Sequence, residues 1–512
     1  MPDKVLISHN GQLQAKYGTD KATVDAAIQR VIAADAQQGL NSVCIAIDDP
    51  VAMGEAGGAA VPGGPSEADA KAAVDAIYNH HQPDYLVLLG GPDVIPHQSL
   101  TNPMYSPPDD PDSIVPSDLP YACSNPYSSD PQDFVGPVRV VTRIPDLTGG
   151  NDASYFAAVL DSLAAAVPGN HEAYMAYLGV TAQVWAASTE LNLKAVFGNA
   201  SQMQCVPPAS YRWSAAQIQR LSHFFNCHGA PNDHRFYGQH GGSYPPAHDA
   251  SYVAGLLHPG TVLAAECCYG AQLYDPSRNG GQMGMANVYM RQGAYGYFGS
   301  TTIAYGPSSG NANADLICQY FLKEVLRGSS VGRAALSARQ RLAQASSVIS
   351  PTDLKTLAQF LVLGDASVHC VLAQSPVQDT AAKYGFAQFP PGDAEARARK
   401  ERRAAAAEVG FFLQHAKRVS GKQAARTRDV DKRLNEMARL AGYREPKVFS
   451  FGITEPAGSA NTKALAGVPP ITAFHVLMET TDSNAPRGLS TRLLEAQEAN
   501  GEIVSVRELF SR

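Results

Sequence analysis

Two short stretches of this 512-residue sequence end apolar, strand-like runs in side chains suited to nucleophilic chemistry. Phe224-Phe225-Asn226-Cys227-His228-Gly229 places a histidine directly before a glycine, and Val262-Leu263-Ala264-Ala265-Glu266-Cys267-Cys268-Tyr269-Gly270 places a cysteine pair shortly before another. A thiol attacks as its thiolate, and a neighbouring imidazole either lowers its pKa or removes its proton. Glycine after the histidine lets the backbone approach a substrate. The Gly229 N–H, with that of the cysteine, is suited to hold the oxyanion of a tetrahedral intermediate. A lone His-Gly is common and a lone buried cysteine usually only packs. The argument rests on both lying at strand ends, in this order, about forty residues apart. Groups leaving the carboxyl ends of neighbouring parallel strands converge in one crevice.

Two other chemistries compete for these residues. His223, Cys227, His228, His234, His240, His248, Cys267 and Cys268 form a ligand-rich region. It lacks the Cys-x-x-Cys or His-x-x-x-His spacing usual in structural zinc sites. No metal or cofactor is therefore expected. Leu89-Gly90-Gly91 ends a strand in glycine, yet lacks the Gly-x-Gly-x-x-Gly or Gly-Lys-Ser/Thr pattern of a phosphate loop.

The elements that must position the pair read as alternating strands and helices up to about residue 375. Lys4–Ser8, Ser42–Ile47, Tyr85–Leu89 and Val138–Val141 read as strands, with helices over Lys21–Ala36, Ser66–Asn79 and Asp152–Ala166. A second run follows with strands at Val180–Ala187, Lys194–Phe197, Phe224–Phe225, Thr261–Ala265 and Gly293–Ile303. Helices are expected over Ser214–Leu221, Asn313–Leu326 and Val331–Ser346, and Phe360–Leu363 and Val368–Leu372 would close the sheet. Continuous apolar strands separated by helices imply a mostly parallel sheet covered on both faces, hence an α/β sandwich. The two halves are candidates for distant copies, although no repeat period stands out. Beyond residue 376 the sequence turns Ala-rich and basic, and then to short strands. This predicts a helical linker over 377–440 and a small α+β module over 441–512.

In order along the chain, several blocks resemble the gingipain-type cysteine peptidases, within the wider group that holds caspases, legumain and metacaspases. Tyr85–Leu89 followed by Gly90-Gly91-Pro92-Asp93-Val94-Ile95-Pro96 is similar to that family's "LVGDxxxIP" turn, and Ser117-Asp118-Leu119-Pro120-Tyr121-Ala122 to its "SDxxYA" block. Val140-Val141-Thr142-Arg143-Ile144-Pro145 resembles "VGRIP", with threonine in place of glycine. Cys227-His228-Gly229 resembles the catalytic "GHG", with cysteine in place of the first glycine, and Gly364-Asp365-Ala366-Ser367 resembles "GDPS", with alanine in place of proline. The resemblance spans about residues 1–375. It implies a caspase-like αβα sandwich of two subdomains, 1–170 and 171–376, the second bearing a Cys-His dyad that hydrolyses peptide bonds through an acyl-enzyme.

The nucleophile stays open between two residues. Gingipains, legumain and metacaspases place glycine three residues after it, which selects Cys267; caspases place it two after, which selects Cys268. The gingipain blocks elsewhere favour Cys267. By the same resemblance Glu190 is the candidate acid for a Lys or Arg side chain, with Asp233 a second. Tyr297–Thr302, including Ser300 and Thr301, is the candidate strand for peptide pairing. With basic specificity, the Arg-rich stretch Arg397–Arg403 would be a natural site of self-processing, which usually falls on extended, exposed segments.

Composition narrows the alternatives. Hydrophobic residues make up 45% and charged residues 17%, ample for a large core. A formal charge of −7 argues against nucleic acid as partner. The start of the sequence has no secretory pattern and no run approaches the ~20 apolar residues of a membrane span, so a cytoplasmic protein with no membrane partner is expected. Scattered cysteines fit free thiols rather than a disulfide framework. The expected partners are a protein or peptide substrate and an activating protease or regulatory partner at the C-terminal module. An inactive scaffold of the same fold, binding a partner without chemistry, is the rival reading.

Overall fold

The computed structural model describes residues 1–346, 348–372, 391–414, 416–421, 424–454, 470–481 and 490–512. Ten strands form one central sheet: β1 (Lys4–Ser8), β2 (Ser42–Ala46), β3 (Tyr85–Leu89), β4 (Val141–Ile144), β5 (Tyr177–Ala182), β6 (Met203–Val206), β7 (Ser222–Asn226), β8 (Val262–Ala265), β9 (Gly296–Ser300) and β10 (Phe360–Leu363). Their order is β2-β1-β3-β4-β10-β9-β8-β7-β5-β6. Every neighbouring pair is parallel except β10 with β9. The molecule is therefore α/β with a large, mostly parallel sheet.

The strand order gives content to the idea of two related halves. β2-β1-β3-β4 and β6-β5-β7-β8 share one connectivity, a first strand flanked by the second and third and then the fourth. β9 extends the second half and the late strand β10 extends the first, so the halves meet antiparallel at β9–β10. Strands buried along their whole length, such as β3, β7, β8 and β9, explain the unbroken apolar runs, because helices cover both faces.

The helices follow from local chemistry. In Glu67–His81 the Ser66 side chain accepts from the Asp69 N–H, Glu67 and Asp69 lie in the first turn, and His80 and His81 lie in the last. Each of these choices satisfies free end groups or complements the helix dipole. Asn313–Leu326 buries Ile317, Phe321 and Val325 at helical spacing, with Phe321 stacked on Phe298 at 4.6 Å between ring centroids. That packing fixes its first turn, and with it Asp315, beneath the carboxyl edge of the second half.

Several expectations change in detail. Lys194–Phe197 is not a strand but the end of the helix Ala186–Phe197, and Val368–Leu372 makes only single bridges to 169 and 330 instead of closing the sheet. Arg397–Arg403 lies in the helix Pro391–Gln414, not on the extended kind of segment that proteolysis favours. Arg403 there pairs with Asp84 at 3.3 Å and donates to the Gln82 carbonyl, so cutting at this point requires the helix to unwind.

The C-terminal module begins before residue 441. Its helix Arg428–Leu440 lays Val430, Leu434 and Ala438 on Leu477, Leu494 and Ala496. Its sheet contains β11 (Lys447–Thr454), β12 (Ala473–Thr480), β13 (Thr491–Ala499) and β14 (Glu502–Ser511). Asn500 and Gly501, both at positive φ (53° and 83°), form the two-residue turn that sends β14 back along β13. Phe451, Phe474, Val476 and Leu509 join the main core, so the module is packed onto the α/β unit. The expected boundary at 376/377 lies outside the described residues.

Candidate active site

β7 and β8 are adjacent and parallel, with Phe225 opposite Ala265, and the Glu266 N–H continues the ladder to the Phe225 carbonyl at 2.8 Å. The two chemically suggestive stretches therefore leave the sheet side by side. Because side chains alternate between faces along extended chain, Cys227 and Cys267 share one side and His228 and Cys268 the other. The surroundings agree. Cys227 and Cys267 lie in the core cluster with Val180 and Phe225, whereas Cys268 belongs to the opposite cluster with Tyr269, Ala304 and Tyr305.

His228 is sandwiched between Trp185, 4.4 Å between ring centroids, and Tyr244, 5.2 Å. Its Nε2 meets the Gln239 side-chain oxygen at 2.7 Å. That contact orients the ring and places a proton on this nitrogen. Gln239 is itself held by the Tyr244 hydroxyl at 3.0 Å. Gly229 sits so close to the Cys268 carbonyl that a Cβ there would overlap it, a direct reason for glycine at this position. Tyr269, immediately after Cys268, adopts φ 55°, a left-handed conformation costly for a tyrosine. Its N–H to the Thr302 carbonyl and its hydroxyl to Asp112, at 3.0 and 2.8 Å, hold the turn in place.

The N–H groups of Gly229 and Cys268 both reach the main-chain oxygen of Arg512, at 3.4 and 3.2 Å. The Arg512 N–H donates to the Ala304 carbonyl at 2.9 Å, and β14 pairs antiparallel with Tyr305–Gly306, Ser511 opposite Tyr305 and Phe510 opposite Gly306. The Arg512 side chain is fully buried. Its Nη2 lies 3.0 and 3.2 Å from the two Asp315 carboxylate oxygens and donates to the Pro307 carbonyl at 2.7 Å. Its guanidinium lies 4.4 Å from the Trp185 ring centroid. A charge-assisted pair and a cation–π contact thus hold one side chain. Asn192 at 3.1 Å and Ser188 donate to Asp315. Glu266, buried beside Asp315, has its carboxyl pushed well above the usual range by burial and then by that neighbouring charge, since both disfavour a second anion. A Cβ on Gly306 would run into both the guanidinium and the Asp315 carboxylate.

Burial pushes the Cys268 thiol up to about 12, so in this arrangement the sulfur is protonated. Its Sγ contacts the Ala304 amide N at 3.3 Å. Cys267 is likewise held protonated, mainly by burial and then by Cys227.

The other expected site residues are engaged in contacts of their own. Glu190, on the exposed side of the helix Ala186–Phe197, pairs with Lys194 at 2.5 Å. Asp233 accepts from the Tyr237 hydroxyl at 2.7 Å and pairs with Arg235. Ser300 donates to the Cys267 carbonyl and Thr301 to the Pro116 carbonyl, both buried. β9 has a neighbour on each side, which leaves no edge for a peptide; Tyr305–Gly306, a few residues further on, pairs along one edge with β14. Asp315, Trp185 and Arg512 were not singled out from sequence. Each is an ordinary residue type without a motif, and their meeting depends on long-range packing. His223 and His248 face the same Tyr289 hydroxyl, each at 2.8 Å. Among the described residues no group of three His, Cys, Asp or Glu side chains is placed to hold a metal ion.

No protein-family model matches the chain, and no curated protein matches it in sequence. A solved structure described as "Structure of Protease" is similar over 99% of this chain and 96% of its own, at 12% identity and a TM-score of 0.47. Among the described residues no helix is long and apolar enough to cross a membrane.

Proposed function

We propose that this chain is a cysteine peptidase in which Cys268 is the nucleophile and His228 its proton-transfer partner. The observation that carries the reading is the meeting of the Gly229 and Cys268 N–H groups on one main-chain oxygen, beside the imidazole that shares their side of the sheet. A carbonyl held there has its developing negative charge opposite two preorganised donors. In the forward reaction the Cys268 sulfur bonds to the carbonyl carbon and its proton passes to His228. His228 then protonates the leaving amine as the C–N bond breaks, leaving a thioester. Water attacks the thioester carbon and gives a proton to His228; the C–S bond then breaks, the carboxylic acid product leaves, and His228 returns the proton to the Cys268 sulfur. Gln239 acts as a positioning residue for the ring.

A preference for cleavage after a basic residue is part of the same proposal. It rests on Asp315 and Trp185, which surround a guanidinium at the place where the side chain of the reacting residue would lie, instead of on Glu190 or Asp233. The test is hydrolysis of fluorogenic peptide amides carrying Arg, Lys or norleucine at the reporter bond, by wild type and by Cys268→Ala, Cys267→Ala and His228→Ala. Loss with Cys268→Ala and His228→Ala but not with Cys267→Ala is expected; loss with Cys267→Ala alone would overturn the choice of nucleophile.

The second reading, a scaffold of this fold without chemistry, draws on the protonated Cys268 thiol and the filled groove. Labelling with a thiol-directed peptide probe separates the two. Labelling that depends on Cys268 supports the peptidase, and none in any variant supports the scaffold.

A further inference from the structure

Residues 510–512 use the groove as a bound peptide would. Their backbone extends the Tyr305–Gly306 edge, the Arg512 main-chain oxygen sits between the Gly229 and Cys268 N–H groups, and the Arg512 side chain fills the Asp315 pocket. We propose that the end of β14 is a tethered occupant of the peptide groove, and that a substrate with arginine at the reacting position enters only when Phe510–Arg512 peel away.

The local packing defines how much must move. Leu509 is fully buried in the shared core, and Arg507 is anchored to Asp353 and Glu495 at 2.8 and 2.7 Å, so both hold β14 to the body of the protein. The turn at Asn500–Gly501 fixes its other end. Phe510 still pairs with Arg492 in the β13 ladder and the Ser511 hydroxyl accepts from the Thr491 N–H at 2.9 Å, so leaving the groove breaks these end contacts while Arg507 and Leu509 keep the rest of the module in place. A tether this short presents its occupant at an effective concentration on the order of millimolar, enough to compete with free peptides and slow their turnover. The choice of arginine fits. Its Nη2 meets the Asp315 carboxylate and the Pro307 carbonyl while the guanidinium lies over the Trp185 ring, so charge and flat shape are both used.

Occupancy by β14 needs no chemistry at Cys268, whereas its consequence for turnover rests on the peptidase reading, and the experiment separates the two. The full chain carrying Cys268→Ala, alone and combined with Arg512→Ala, is titrated into fluorescein-labelled peptide Glu-Leu-Phe-Ser-Arg, following polarisation. The Arg512→Ala chain is expected to bind at least roughly tenfold more tightly, with the gain abolished by adding Asp315→Ala. Equal binding with and without Arg512 in folded proteins overturns the proposal. If the alanine variant does not fold, Arg512→Gln, close in shape but uncharged, replaces it with the same expectation. In the Cys268-bearing protein, Arg512→Ala is expected to speed hydrolysis of an arginine amide. Tighter binding without hydrolysis sinks the peptidase reading and leaves the occupant in place; hydrolysis with unchanged binding sinks the occupant.

Discussion

Gly229 and Cys268, at the ends of adjacent parallel strands, direct their main-chain N–H groups at the same oxygen, while a Cβ on Gly229 would collide with the Cys268 carbonyl. The two loops thus touch through backbone, and the separation of the donors depends on the missing side chain. Gly229→Ala is expected to lower kcat by roughly 100-fold in an Arg512→Ala background, the scale seen when one oxyanion donor is lost. Turnover within a few-fold of the parent would remove these N–H groups from the mechanism.

The two cysteines should separate in reactivity. Cys267 lies in the core, and Cys267→Ala should cost about 1 kcal/mol in urea unfolding while leaving hydrolysis within a few-fold. Cys268→Ala should abolish hydrolysis at a similar cost in stability, because Cys268 is as fully buried in the opposite cluster. Alkylation of Cys268 at neutral pH should be slow in the parent chain, because burial holds the thiol up at about 12. It should be faster once Arg512 is replaced and the sulfur gains access to solvent.

Asp315→Ala leaves the Arg512 guanidinium buried without its carboxylate. Removing one partner of a buried pair costs about 3 kcal/mol, so the variant should melt well below the parent. Adding Arg512→Ala removes the stranded charge and should recover part of that loss. A double mutant no more stable than Asp315→Ala would argue that the pair is not coupled.

Acid should destabilise the second half through His223 and His248, which flank Tyr289 in the buried sheet face. Burial lowers His223 to about 3 and holds His248 well below its usual value. Both are neutral in the folded state near pH 5, but the unfolded chain protonates them near 6.5. Their contribution is therefore fully present above about pH 6.5 and is lost progressively as pH falls toward the folded values, by roughly 1.4 kcal/mol per pH unit for each group. Urea melts between pH 4.5 and 7 should show that slope reduced in His223→Gln; an unchanged slope would place the acid sensitivity elsewhere.

Residue pattern alone was enough to establish the material of the fold and to bring the candidate residues to one edge of the sheet. Unbroken apolar runs such as Tyr85–Leu89 and Val262–Ala265, separated by helices, required a parallel sheet covered on both faces. Strand ends at His228 and at Cys267–Cys268 pointed to one edge of it. Spacing to Gly270 left the two cysteines undecided, because neighbours in an extended chain face opposite ways. Only the register of β7 against β8 states which sulfur shares a side with the imidazole. Glu190 looked suitable as a specificity acid from its place in the chain, but the helix turns it outward to Lys194. Asp315 and Arg512, nearly two hundred residues apart, meet because the Asn500–Gly501 turn and the packing of Leu509 bring β14 to the Tyr305–Gly306 edge. Such a contact follows from tertiary packing between distant segments, and local residue pattern carries no record of it.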